Sequence, residues 1–322
     1  MKENNEIPVV LITDNSQVMP CAVVLYSILQ NAKTTTNFNF YIFSKPALPK
    51  DLQKKLLQTI AKFKNAKLEF VVVEEDWSNV KKTHSYVTIE SAYKMLIPKY
   101  LQQYDKVLYL DTDVLVRSDI TELYNFEMED NYLAGCVDMN YQTVNAARAK
   151  SAAGMEDLSF YINAGVMLMN LKSIRKDGID KKCISLLGTC EGSVDQHIFN
   201  KVCYGRIAFL PYKFNVFGKF TNEQYNIFYS YKEFHDAIEN PAIFHWAGAL
   251  KPWLYYNVPL AHEWFRYYLK TVFGKDLLKR EKFCGTTIRI KKYLFNLIVK
   301  ISEGNKRTLD IFGIKFTYKK GK

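Results

Sequence analysis

The chain of 322 residues is 48% hydrophobic, an ordinary composition for a soluble globular protein with a sizeable core. Its formal net charge of +11 is confined to one end: residues 270–322 hold 15 Lys or Arg against 4 Asp or Glu, while the rest balances 29 against 29. A neutral body with a basic, aromatic-rich tail argues against a nucleic-acid binder and for a tethering segment.

In chain order, the opening MKENNEIPVV carries two Glu and no long apolar run, so no secretory leader is expected. The runs PVVLIT (8–13), FNFYIFS (38–44), LEFVVV (68–73), KVLYLD (106–111) and YLAGCVD (132–138) are apolar and β-branched and read as buried strands. Helical patterns fall between them, at Cys21 to Gln30, Leu48 to Phe63 and Ser91 to Leu101. This alternation predicts an α/β fold with a mostly parallel, doubly wound sheet flanked by helices.

No apolar stretch approaches the roughly 18 residues of a membrane span; Val107 to Val116 and Ala164 to Leu171 are short or interrupted by Asp or Asn. Six cysteines (Cys21, Cys136, Cys183, Cys190, Cys203, Cys284) form no CxxC pair, which points to free thiols in a reducing cytoplasm rather than a zinc knuckle or disulfide framework. From Ile288 to Ile301, Ile290, Leu294, Leu297, Ile298 and Ile301 follow helical spacing, with Arg289, Lys292, Asn296 and Lys300 on another face. A basic amphipathic helix is expected there, suited to an anionic membrane interface or to packing on the core. The shift in composition divides the chain into 1–269 and 270–322.

In doubly wound sheets ligands sit beyond the carboxyl ends of the strands, which singles out Thr13, Asp14, Asp111 to Asp113 and Asp138. Side chains two apart on an extended segment point the same way, so Asp111 and Asp113 converge. Such a pair is costly to hold together without a cation, and hard oxygen ligands favour magnesium, calcium or manganese. The alternative job is capping a helix, since Ser118 and Asp119 follow closely. His245 ends the apolar run Ala242 to Phe244 and is followed by Gly248 and Lys251. An imidazole beside two carboxylates shifts the preference towards manganese, while a lone histidine after a strand also serves structural ends. No GxG occurs among the 14 glycines, so a glycine-rich phosphate cradle is absent. A diphosphate here needs a metal and a lysine instead, and Lys251 offers that charge to a leaving group.

The segments VLYLDTDVLVRSDITELYN, YINAGVMLMNLKSIR, SVDQHIFN and FHWAGALKPW, in this order, resemble bacterial members of glycosyltransferase family 8, in particular lipopolysaccharide and lipooligosaccharide hexosyltransferases. The resemblance covers about residues 8–255. It implies a GT-A fold over 1–269 and transfer of glucose or galactose from a UDP-sugar to a saccharide or glycolipid acceptor with retention of configuration. It implies that Asp111, Asp113 and His245 bind manganese, with magnesium as the alternative, and that Thr112 lies in the same donor-binding turn. Gly248 and Lys251 would contact the diphosphate, and Thr13 and Asp14 the uridine. Asn163, Ala164 and Gly165 match a segment near the donor sugar, and Lys94 stands where many relatives carry Arg. Asp195 and Gln196 match a pair beside the reacting carbon, and Asp138 falls where relatives contact sugar or acceptor. Ser16 and Gln17 stand where relatives often carry Asn-Tyr. Structural alternatives are a tight turn or strand start at Asn163 to Gly165, and a helix N-terminus at Asp195. Likeness to lipid-linked glycan enzymes implies a peripheral place on the cytoplasmic face of an inner membrane, through the basic tail.

No residue stands out as a nucleophile, so same-face substitution is expected, the departing phosphate helping to deprotonate the acceptor hydroxyl and Gln196 steadying the cationic sugar. Acceptor choice is assigned to Tyr141 to Phe160. Two rival functions stay open. LYLDTDVLV also has the form of a haloacid-dehalogenase phosphatase, whose first Asp attacks phosphorus, although the further acidic cluster of that chemistry is absent. The other rival is a catalytically silent UDP-sugar binder.

Overall fold

The computed structural model describes residues 6–77, 89–139, 141, 150–151, 154–159, 161–188, 195–217 and 228–274, and the strand backbone between 281 and 319. The body is built on β1 (Glu6–Ile12), β2 (Asn37–Ser44), β3 (Ala66–Val72), β4 (Lys106–Leu110), β5 (Val114–Val116), β6 (Leu133–Val137), β7 (Ile162–Asn170), β8 (Ile207–Phe209) and β9 (Ile243–His245). The five strands expected from sequence appear as β1 to β4 and β6. Two of the expected helices form as Val18–Asn31 and Lys50–Ile60. The third divides into a 3-10 helix, Ile89–Leu96, and a short α-helix, Ile97–Tyr100. Pro98 explains the break, because it has no amide proton to continue an α-helical ladder and is tolerated only in a first turn.

The main sheet has the order β3-β2-β1-β4-β7-β6-β8. Its pairs are parallel except that β7 runs antiparallel between β4 and β6, so the sheet is mixed and mostly parallel, as expected. Side chains alternate across a sheet, and here both faces are covered, which is why the strands read as continuous apolar runs. Val9, Leu11, Leu108, Leu110 and Leu168 join a core with the helix Val18–Asn31. Val10, Ile12, Val107, Tyr109 and Met167 join a second core with Ile97, Leu171 and Ile198.

Two features of topology assemble the site. Because β7 is reversed, its first residues lie beside the last of β4: Leu110 pairs with Val166, and Asp111 N donates to Gly165 O at 2.8 Å. Separately, β5 and β9 form a two-stranded antiparallel ribbon with Val114 opposite His245, and Trp246 N donates to Asp113 O at 3.0 Å. Residues far apart in sequence are thus brought to one point by backbone pairing.

The tail departs from expectation. In place of a helix over Ile288 to Ile301 the chain forms an antiparallel meander, β10 (Glu281–Phe283), β11 (Thr286–Tyr293), β12 (Asn296–Glu303), β13 (Lys306–Ile311) and β14 (Ile314–Lys319), paired in sequence order. The segment carries both periods: Ile288 and Ile290 alternate with Arg289 and Lys291 as in a strand, and the run is rich in β-branched residues. Only two residues separate Tyr293 from Asn296, Glu303 from Lys306 and Ile311 from Ile314, the length of the commonest hairpin connections. Cross-strand pairing therefore prevails over the 3.6-residue pattern. Phe316 (54%) and Tyr318 (60%) are exposed on β14.

Among the described residues no helix is long and apolar enough to cross a membrane. Cys21, Cys136, Cys183 and Cys203 are buried free thiols, and Cys190 and Cys284 lie outside the described residues.

Candidate active site

A cleft of about 320 Å3 opens where β1 and β4 end. Every residue singled out from sequence lines it except Asp138, which is buried behind Gln196. One ligand atom each from Asp111, Asp113 and His245 lie within 4.8 Å of one another. Asp119 accepts from Thr121 N at 2.8 Å in the turn before the next helix, whereas the Asp111 and Asp113 carboxylates line the cleft. His245 Nε2 is 3.2 Å from Asp113 Oδ1 and 3.9 Å from Asp111 Oδ2. Its Nδ1 meets Asn215 Oδ1 at 2.9 Å, the arrangement by which metal-binding histidines are oriented. Two carboxylates and one imidazole form a donor set that fits manganese or magnesium. Gly165 makes room for it: a Cβ there would lie 2.3 Å from His245 Cε1.

Positive charge surrounds this corner. Lys251 Nζ donates to Asp113 Oδ2 and, at 2.8 Å, to Trp246 O. Gly248, at φ 90°, takes a left-handed backbone that favours glycine in the turn leading to Lys251. Burial would raise the Asp113 carboxyl pKa, but the charges of His245 and Lys251 hold it well below the usual carboxylate range. Lys94, 2% exposed on the 3-10 helix, donates to Asp195 Oδ2 (2.5 Å) and Ala164 O (3.0 Å) and lies 3.2 Å from Asp111 Oδ1. An ammonium has three protons, and these three acceptors use them all. Burial alone would lower the Lys94 pKa, but Asp111 and Asp195 outweigh it and raise it. Asp195 precedes the helix Gln196–Val202, as expected, but its side chain makes no cap bond and is given to Lys94.

The floor of the cleft is a chain of amides. Gln196 Nε2 donates to Asp138 Oδ2 (2.9 Å) and Tyr161 OH (3.3 Å), and its Oε1 accepts from Ala164 N (3.1 Å) and Asn163 Nδ2 (3.3 Å). All four positions of that amide are engaged, so Gln196 braces the start of β7 from the cleft wall. The Tyr161 hydroxyl also meets His197 Nδ1 at 2.5 Å. At the far end, Asp14 Oδ1 accepts from Ser16 N (2.8 Å) and Gln17 N (2.9 Å), fixing the turn that begins the first helix. Thr13 and Asp14 therefore line the cleft, with one Asp14 oxygen committed to its own turn.

Tyr109, Asn215, Tyr161 and His197 are site residues missed from sequence. Tyr109 OH donates to Asp111 Oδ1 at 2.5 Å, and burial followed by the Asp111 charge pushes its pKa well up. As part of an apolar strand it signalled only core. Ser91 Oγ, also at the cleft wall, is buried without a partner. Most of Tyr141 to Phe160, expected to govern acceptor choice, lies outside the described residues.

Comparison with known proteins places the fold and the family. A Haemophilus influenzae protein named as a glycosyltransferase is 31% identical over 198 residues, 60% of this chain and 58% of its own length. A lipopolysaccharide 1,2-glucosyltransferase of Escherichia coli is 28% identical over 270 residues, 80% of this chain and 73% of its own. The crystal structure of the galactosyltransferase LgtC with donor and acceptor sugar analogues superposes with a TM-score of 0.69 at 23% identity, over 83% of this chain and 96% of that one. The fold is accordingly of the GT-A type. The model of glycosyl transferase family 8 matches residues 8–257, and the chain belongs to that family.

Proposed function

We propose that the chain transfers a hexose, glucose or galactose, from a UDP-sugar to a saccharide acceptor with retention of configuration, in the assembly of lipopolysaccharide or another cell-surface glycan. The observation that carries it is the convergence of Asp111, Asp113 and His245 on one wall of the cleft, with Lys251 against the same carboxylate. Manganese or magnesium bound there would neutralise the diphosphate and stabilise the leaving group. Lys251, on its glycine-containing turn, exchanges Asp113 for a phosphate oxygen and adds charge where it develops. Lys94 and Gln196 keep Asp195 and the start of β7 in place around the sugar.

Same-face substitution suits this site, because the carboxylates near the sugar strand are already engaged: Asp195 Oδ2 by Lys94, and Asp138 Oδ2 by Gln196 and Asn163. The departing phosphate then assists deprotonation of the acceptor hydroxyl. A sugar adduct trapped on Asp195 and seen by mass spectrometry would overturn this step. The basic C-terminal meander, with Phe316, Tyr318 and Lys319 exposed, is assigned to an anionic membrane surface. Liposome co-sedimentation unchanged by a Phe316→Ser, Tyr318→Ser double variant would remove that assignment.

The test of function is UDP release from a panel of UDP-sugars with manganese, with EDTA and with Asp113→Ala. Turnover of one donor, only with metal and only by the unaltered protein, supports the proposal and names the donor. Metal-dependent binding without turnover, with acceptors supplied, indicates a silent binder, and no binding of any donor refutes the metal site.

A further inference from the structure

We propose that Asn215 is a positioning residue that sets the ring of His245 for a cation and ties that setting to the strand beside the donor sugar; the inference rests on the metal site proposed above. Its orientation can be fixed from a backbone donor. Gly165 N–H donates to Asn163 Oδ1 at 3.0 Å, and a backbone amide nitrogen can only donate. Asn215 meets that same oxygen at 2.9 Å, so it presents Nδ2 there. Its Oδ1 consequently faces His245 Nδ1 at 2.9 Å, and that ring nitrogen must carry a proton. Nε2 is then the nitrogen that offers a lone pair once a cation takes the place of its proton, and it is the one directed at Asp113 and Asp111. The tautomer a metal requires is thereby dictated, through two side-chain amides, by the backbone of β7.

Asn215 is suited to the task. It is 0% exposed, so water does not compete for either bond. Its backbone is held by Asn215 N donating to Tyr212 O at 3.1 Å, and the next residue accepts from His245 N at Val216 O, 2.9 Å. Residue 215 and His245 are therefore carried by adjoining, paired segments. At the other end, Asn163 Nδ2 reaches Gln196 Oε1 and, at 3.4 Å, Asp138 Oδ2. A displacement at the metal corner is transmitted to the sugar strand through this chain.

The two bonds of Asn215 can be separated by substitution. Asn215→Leu removes both with the same number and branching of side-chain heavy atoms. Asn215→Asp keeps an acceptor for His245 Nδ1–H and loses the donor to Asn163. Manganese binding to the full chain is followed by paramagnetic resonance of free Mn2+, with UDP-sugar turnover alongside and circular dichroism to verify folding. Asn215→Leu is expected to bind Mn2+ about 10–100-fold more weakly. Asn215→Asp is expected to keep its affinity within about threefold while turnover falls about tenfold or more. Equal Mn2+ affinity in Asn215→Leu and the unaltered protein overturns the proposal, as does an Asn215→Asp that loses metal as fully as Asn215→Leu. Where Asn215→Leu does not fold, the split between affinity and turnover in Asn215→Asp decides. If the unaltered protein binds no Mn2+, the metal site itself is refuted and this inference falls with it.

Discussion

An alanine at position 165 would place its Cβ 2.3 Å from His245 Cε1, 2.8 Å from Asp111 Oδ2 and 2.9 Å from His245 Nδ1. Ordinary contact begins near 3.4 Å, so the imidazole must retreat by roughly 1 Å and the carboxylate by roughly half that. The ring is 3% exposed, bonded to Asn215 and packed beside Phe217 at 5.9 Å between centroids, so it does not yield freely. Metal–ligand distances tolerate about 0.2 Å, and a displacement several times larger removes His245 from the ligand set. Losing one of three ligands is expected to weaken Mn2+ binding about 100-fold, or about 2.8 kcal/mol at 1.4 kcal/mol per tenfold. Overpacking adds about 1–3 kcal/mol of lost stability in the metal-free protein. Titration calorimetry with Mn2+ and urea unfolding in EDTA measure the two effects separately. A Gly165→Ala protein that folds and binds Mn2+ with undiminished affinity would refute the assignment of this corner as a metal site.

Lys94→Met strands Asp195, whose side chain is 6% exposed, without its counter-charge; a loss of about 3–5 kcal/mol is expected in urea unfolding, and a loss under about 1 kcal/mol would contradict the buried pairing. The Asp113 carboxyl is depressed below its usual 3.8, so it stabilises the fold above that value and the contribution is lost as the pH falls through the lower folded value. The advantage of the unaltered protein over Asp113→Asn in EDTA should therefore hold from about pH 7 to about pH 5 and shrink below about pH 4; growth towards pH 3 would reverse the sign and sink the argument. Tyr161→Phe removes the hydroxyl shared by Gln196 and His197, and kcat should fall about 3–10-fold with donor KM little changed, corresponding to one lost hydrogen bond of about 1 kcal/mol. Full activity in that variant would show that Gln196 needs no support from behind.

How much was legible in the sequence depended on whether the cause was local. Strands such as β1 and β4 announce themselves because burial on both faces demands unbroken apolar runs, and Asp111 and Asp113 stand out because charge at the end of such a run is costly without a purpose. Asn215 was invisible, since a lone amide after Tyr212 to Phe214 carries no pattern and its meaning comes from two partners distant in sequence. Gln196 was visible, but the way its amide is held was not, because its four partners come from segments distant in sequence. The tail was misread because IRIKKYLFNLIVKIS satisfies helical and strand periods together, and long-range pairing decides between them.

The reversal of β7 has a bearing on where the chain can vary in length. β6 leaves the sheet at Val137 and β7 re-enters opposite it at Ile162, so residues 138–161 depart from and return to one rim, the rim that also carries Asp111. Lengthening a segment whose ends are already pinned together costs little, about 0.6 kcal/mol for each doubling. Extra residues can accordingly be accommodated at this insertion point while the strand register beneath the metal corner stays untouched.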